Sequence, residues 1–266
     1  MLINLTKYEF VKRWKALRYV LLGYVLIQTL LLVISSTFFW NSNMVKVFTE
    51  ANNEGQGIGI PSGMAMVLYF IMALGIAILP FIESLYRFDK DLSGKQSVLE
   101  QMLPIISWKK IISKLVTVLC TTIIGIGLGV CAVIAFVLMS SNFDKSIVDL
   151  LLNFFKSIFQ SPTQFILGAL YILFCFSSIY LIMFFCIAFS KSLTSKNKIA
   201  VPMGIATFVM LVAAISSLGT LLENVPLAQI TILGETDSLS SLILSFIIFI
   251  AALFGTSWLM EKKIES

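Results

Sequence analysis

The residues Leu92–Gln96 read LSGKQ, one letter away from LSGGQ, a signature with which some ATPases touch nucleotide. A phosphate-cradling loop would read GxxxxGKS or GxxxxGKT between a strand and a helix, so that backbone N–H groups surround the phosphates and the lysine reaches them. Gly94-Lys95 is the only Gly-Lys pair; Gln96 follows it, and Asp89 stands where the first glycine would be. The chain therefore has no P-loop, and the likeness at LSGKQ is coincidental. There is no histidine, which removes the usual general base, Ser-His-Asp triads and HExxH zinc sites. Cys120, Cys131, Cys175 and Cys186 are scattered and form no CxxC pair. They leave no metal-ligand cluster and read as small apolar core fillers. No catalytic, cofactor-binding or metal-binding residue is assigned, and the chain is not expected to be an enzyme on its own.

The elements around this stretch explain why the chemistry is so sparse. Of 266 residues, 58% are hydrophobic and 12% charged, with mean hydropathy +0.97. A soluble domain carries about 25% charged residues. Crossing a bilayer takes about 20 mostly apolar residues, and six such runs are present, at about 17–39, 63–85, 111–140, 163–190, 199–222 and 239–260. The expected fold is an all-α membrane protein forming one transmembrane domain. A cleavable signal peptide is not expected, because the first apolar run is too long for a signal h-region and no small-residue cleavage site follows.

The net charge of +5 is not a nucleic-acid signal, given where it falls. With a cytoplasmic N-terminus, inner segments hold sixteen Lys and Arg and outer loops hold three, Lys46, Lys145 and Lys156. That asymmetry places both termini inside. Trp14, Trp108 and Trp258 fall at expected inner boundaries and Trp40 at an outer one, as interfacial anchors do.

The segment Tyr86–Lys110 is the longest inner loop. Within it, Ser93 and Gln96 have the spacing of a capping box, and Pro104 disfavours helix at Leu103. The spacing predicts a short helix over 93–103, with Val98, Leu99, Met102 and Leu103 on one face beside Glu100. Such a helix either lies on the inner leaflet, with Lys95, Lys109 and Lys110 near headgroups, or docks its apolar knob into a groove of a soluble partner. Periodicity does not decide between them.

Taken together, the chain resembles a type-2 ABC transporter permease, a family of drug, polysaccharide and peptide exporters. The likeness lies in six spans with both ends inside and in the basic amphipathic segment NLTKYEFVKRWKALRY, similar to the family's elbow helix. It lies also in a long inner loop after the second span, with Asp89, Gly94, Lys95, Leu99, Leu103, Pro104, Ser107 and Lys114 at the family's pattern, and in an apolar loop at about 223–238, broken by Pro226 and Gly234, like a re-entrant outer hairpin. The resemblance implies an elbow helix at about 2–17 and a coupling helix at about 93–103 whose Val98, Leu99, Glu100, Met102 and Leu103 touch a separate ATPase subunit. ATP and Mg would sit on that subunit. A second permease copy or paralogue would double the spans. The substrate would be an amphipathic or lipophilic peptide, toxin or drug, moved outward, and the location a bacterial cytoplasmic membrane. Small size and Lys-over-Arg usage suggest the peptide-export or self-immunity kind. No Glu-Ala-Ala loop of the importer type is present. The alternatives are an ion-coupled secondary transporter, or a non-transporting immunity or scaffold protein.

Other positions carry narrower expectations. Ile3, Phe10, Trp14 and Leu17 form one stripe of a basic helix suited to the membrane interface. Asp149, Asn153, Lys156 and Gln160 form a polar row in an outer amphipathic helix at about 144–161, suited to lying on the outer leaflet or receiving an amphipathic substrate. Glu83, at the inner boundary, is an ionisable group at membrane depth with Arg87 one turn on. Gly125 and Gly129 form a GxxxG suited to close helix packing. Pro80 and Pro202 are candidate kinks.

Overall fold

The computed structural model describes residues 2–39, 60–93, 106–140, 145–160, 162–194, 197–223, 229–232 and 235–261. In chain order these form α1 (Leu2–Phe39), α2 (Ile60–Ser93), α3 (Ser107–Ser140), α4 (Lys145–Gln160), α5 (Pro162–Leu193), α6 (Asn197–Glu223), β1 (Gln229–Ile232), β2 (Glu235–Ser238) and α7 (Leu239–Leu259). The chain is a helical, multi-pass membrane protein. Helices dominate because a bilayer offers backbone groups no water, so each segment must satisfy its own N–H and C=O groups.

Among the described residues, five helical stretches are long and apolar enough to cross a membrane: Val67–Leu92, Ser107–Met139, Pro162–Leu193, Ile199–Leu221 and Leu242–Leu259. The first expected span, at about 17–39, falls on α1, where Ile3–Lys15 and Leu17–Val33 meet at a 42° bend, so that α1 counts as a span only if the bent pair is taken together. No proline or glycine stands at the bend.

Two expectations change. Tyr86–Ser93 is not loop but the last two turns of α2, since nothing breaks the helix before Gly94 and Glu83 pairs with Arg87 one turn on. Likewise α3 begins at Ser107, four residues before the expected span. At 34 residues each, α2 and α3 reach about 51 Å at 1.5 Å per residue, well beyond a hydrocarbon core of about 30 Å. Beside these helices, β1 and β2 form a short antiparallel ribbon with Gln229 opposite Ser238 and Ile232 opposite Glu235. A QITI strand joined to its partner through two residues, Leu233-Gly234, is a short-hairpin pattern.

The chain divides into two compact units, the first made of Met1–Glu9, Glu83–Leu119 and Ser161–Ser266, the second of Phe10–Ile82 and Cys120–Gln160. In the first unit α5 packs on α6 and α7, and the ribbon touches α5 and α7. Phe174 of α5 lies 5.5 Å from Phe249 and 6.3 Å from Phe246 of α7, ring centre to ring centre. Gly255 of α7 admits the Phe185 ring, which would come within 2.9 Å of a Cβ there. Hydroxyls in these helices turn back on their own backbone: Ser177 donates to the Leu173 carbonyl at 2.7 Å and Thr256 to that of Ala252 at 2.6 Å. Each polar group is thereby satisfied without a partner helix.

The core of the second unit is Leu17 and Leu21 of α1 with Ile76 of α2, packed round by Trp14, Tyr24, Leu79, Ile124 and Leu128. One close helix contact has a backbone cause. Pro80 has no N–H, so the carbonyl four residues earlier, Ile76, loses its helical donor. Gly125 of α3 sits against this place: a Cβ there would lie 2.9 Å from the Ile76 oxygen and 2.8 Å from the Pro80 ring. One turn on, a Cβ at Gly129 would lie 3.2 Å from the Ala73 oxygen. Small residues let the two backbones approach, close enough for Cα–H to face carbonyl oxygen. Farther along, the Tyr69 hydroxyl donates to the Ala132 carbonyl at 2.7 Å, and the Tyr69 ring lies 4.9 Å from that of Phe136.

Gly125→Val should therefore force α2 and α3 apart. Overpacking of this kind costs about 1–3 kcal/mol. Gly127→Ala, where a Cβ meets nothing within 4 Å, should leave stability unchanged. Thermal unfolding of the purified variants in one detergent distinguishes the two; equal losses would refute the packing.

Candidate functional site

Two helices frame the segment 94–105, and charge pairs gather at and near their facing ends. Asp91, in the last turn of α2, pairs with Lys114 in the second turn of α3. Asp89 pairs with Lys191 of α5 at 3.0 Å. Glu83 pairs with Arg87 within α2. At the start of α3, the Ser107 N–H donates to the Glu261 carboxylate at 3.4 Å, an acid placed where a helix N-terminus favours negative charge. All of these groups belong to the first unit.

An aromatic layer underlies the pairs. Phe88 of α2 stacks on Phe184 of α5 with ring centres 4.2 Å apart, and Tyr180 follows at 6.4 Å from Phe184. All three are essentially buried. The Lys114 ammonium lies 5.9 Å from the centre of the Phe88 ring, on the face that attracts cations. Lys114 thus meets a carboxylate and an aromatic face together. Such a group is held by geometry, because a buried charge without partners would cost several kcal/mol.

α3 contributes a polar stripe to the same place. Ser107, Lys110, Ser113, Lys114 and Thr117 recur at helical spacing and all are buried. The Thr117 hydroxyl returns to the Lys114 carbonyl at 2.8 Å. The Ser113 hydroxyl, fully buried, has no hydrogen-bond partner among the described residues. In the second unit the same holds for the amide nitrogen of Gln28, one of the few polar groups in the apolar part of α1.

The residues singled out from the sequence meet different fates in the fold. Val98, Leu99, Glu100, Met102 and Leu103 lie outside the described residues, as does the expected helix over 93–103 apart from Ser93, which closes α2. Glu83 and Arg87 form the local pair described above. Gly125 and Gly129 face the α2 backbone. Pro80 and Pro202 lie inside continuous helices. Phe10 and Trp14 stack at 6.0 Å. Asp149, Asn153, Lys156 and Gln160 are all exposed along α4.

Sequence reasoning missed the pairs between helices. Asp91 and Lys114 are separated by 23 positions, and no periodicity links them. Asp89 and Lys114 were visible only as members of a loose family pattern. Among the described residues, no group of three or more Cys, Asp or Glu is placed to hold a metal ion. What this arrangement does is mechanical: it fastens the ends of α2 and α3 to each other, and α2 to α5, on either side of the 94–105 segment.

No protein-family model, curated protein or solved structure matches the chain.

Asp91→Asn or Lys114→Met should each break this buried pair and cost about 3–5 kcal/mol. The double variant Asp91→Leu, Lys114→Met should recover most of that loss, because replacing both partners by apolar groups is often near neutral. A shift in thermal unfolding that is additive over the two sites would show that the pair is not coupled.

Proposed function

We propose that the chain is the membrane-spanning permease subunit of an ATP-driven exporter of the type-2 ABC kind. It would have six spans with both termini in the cytoplasm, and a separate ATPase subunit would power it. The observation that carries this reading is the fastening of α2 and α3 at both ends of the 94–105 segment by Asp91–Lys114, with Asp89–Lys191 joining α2 to α5. A partner pushing on a short apolar helix between two spans needs those spans to move as one body; a loop on two loosely held helices would absorb the push. The lengths of α2 and α3, which outrun the hydrocarbon core, support the same reading. So does the concentration of Lys and Arg on the side assigned as inner. The chain would work with a second copy or a paralogue, on an amphipathic or lipophilic substrate, in a bacterial cytoplasmic membrane. On this reading the bend near Lys15–Leu17 separates an elbow helix from the first span.

Burying a large apolar side chain in a partner groove is worth about 1.5–3 kcal/mol, and a carboxylate there costs more. Leu99→Asp with Met102→Asp should therefore insert normally but lose co-purification with the ATPase subunit. Retention of that subunit, with transport-coupled hydrolysis intact, would reject the coupling role. The topology has its own check. Cysteines replacing Lys95 and Lys196 should resist an impermeant thiol reagent added outside intact cells, and one replacing Lys156 should react. External labelling at Lys95 would overturn the arrangement.

A further inference from the structure

Beside the ion pairs, α2, α5 and α6 enclose a cavity of about 340 Å³ within the first unit. Its walls are apolar and include Leu85, Ile187, Ala200, Val201, Ile205 and Phe208. Val201 and Ile205 are also among the exposed apolar residues of α6, so the cavity opens onto the helix surface that faces lipid. Its polar lining is sparse: Asp89, Tyr86, Ser190 and Cys186. The Ser190 hydroxyl is already engaged with the Ile187 carbonyl at 2.9 Å.

Asp89 is the charged residue in the lining, and its position is informative. Its partner Lys191 is 6% exposed and is not part of the lining, whereas Asp89 is 32% exposed and is. Of the pair, Asp89 thus borders the cavity and Lys191 does not. An apolar cleft with one convergent polar group is the usual form of a small-molecule site. Here the polar group is an acceptor carrying charge, so it favours an ammonium and disfavours a carboxylate or phosphate. The volume is near the lower end of the range for ligand pockets, about 300–1,000 Å³, which suits one short chain and not a two-chain phospholipid.

We propose that this cavity binds a single-chain lipophilic amine taken from the bilayer, with its ammonium on Asp89 and its chain between α5 and α6. The site is independent of the export reading: a chain that couples to no ATPase would still possess it. Gly204 keeps the chain's place open, since a Cβ there would meet the Ser190 hydroxyl at 3.4 Å and any longer side chain would enter the cavity.

The test uses the full chain in phosphatidylcholine nanodiscs and an octylamine bearing a diazirine. After photolysis, adducts are mapped by peptide mass spectrometry. Labelling should concentrate on the 183–208 stretch and fall progressively as excess octylammonium is added. Octanol and octanoate should compete poorly. Asp89→Asn should reduce labelling about tenfold, as expected for a hydrogen bond to a charged group. Gly204→Leu should abolish it with Asp89 intact, while Gly219→Leu, at a position with nothing within 4 Å, should not. Equal competition by octanol, or labelling spread evenly over the lipid-facing helices, would reduce the cavity to an apolar crevice. Loss of labelling when phosphatidylethanolamine is added would assign the site to a lipid headgroup. Either result overturns the proposal.

Discussion

Where water is absent, a polar group without a partner is costly, and much of this structure follows from how that cost is met. Long helices satisfy the backbone. Hydroxyls such as those of Thr117, Ser177 and Thr256 fold back onto carbonyls three or four residues earlier. Pro80 breaks the scheme at one place by freeing the Ile76 carbonyl, and Gly125 packs its backbone there. Carboxylates are met by cations, and at the ends of α2 and α3 those cations come from other helices: that of Asp91 from α3, that of Asp89 from α5. A pair joining two helices satisfies charge and fixes geometry at once. The same requirement thus produces close packing in one unit and the charged fastening in the other.

That fastening gives the export reading its physical content. A helix contact tuned only for stability needs no ion pairs, since well-packed apolar groups do as well or better. Pairs of this kind fix which side chains of neighbouring helices meet. Lys114 is held by a carboxylate and the Phe88 ring, and Phe88 is stacked in turn on Phe184, so side chains join the ends of α2, α3 and α5. The coupling role itself rests on the amphipathic pattern of 93–103 and on the family resemblance.

Much of the helical, membrane-spanning character was legible in the sequence, because an apolar run near 20 residues matches the thickness of a bilayer and exceeds what a soluble core usually needs. Helix ends were less legible. Tyr86–Ser93 reads as loop by composition, with Arg87, Asp89, Lys90 and Asp91 close together, yet those charges lie on a helix that continues past the apolar stretch. Composition reports where lipid ends, not where hydrogen bonding ends. The partners of Asp89 and Asp91 were illegible for a different reason: periodicity relates residues a turn apart, and these partners lie on other helices. The β ribbon was hidden because its strands are four residues each, too short for alternation to rise above chance. Val98–Leu103, on which the functional reading turns, is legible only as an amphipathic pattern.

Whether that pattern meets a soluble ATPase can be read out in native membranes. A single photoreactive cysteine adduct at Leu99, in a chain whose four native cysteines are replaced by serine, would report its neighbour directly. A coupling helix gives one dominant crosslink, to a soluble subunit carrying a P-loop and an intact LSGGQ-type signature, and that crosslink is lost when the photoprobe is moved to Lys156. Crosslinks to lipid alone, or to no nucleotide-binding protein, would contradict the export reading.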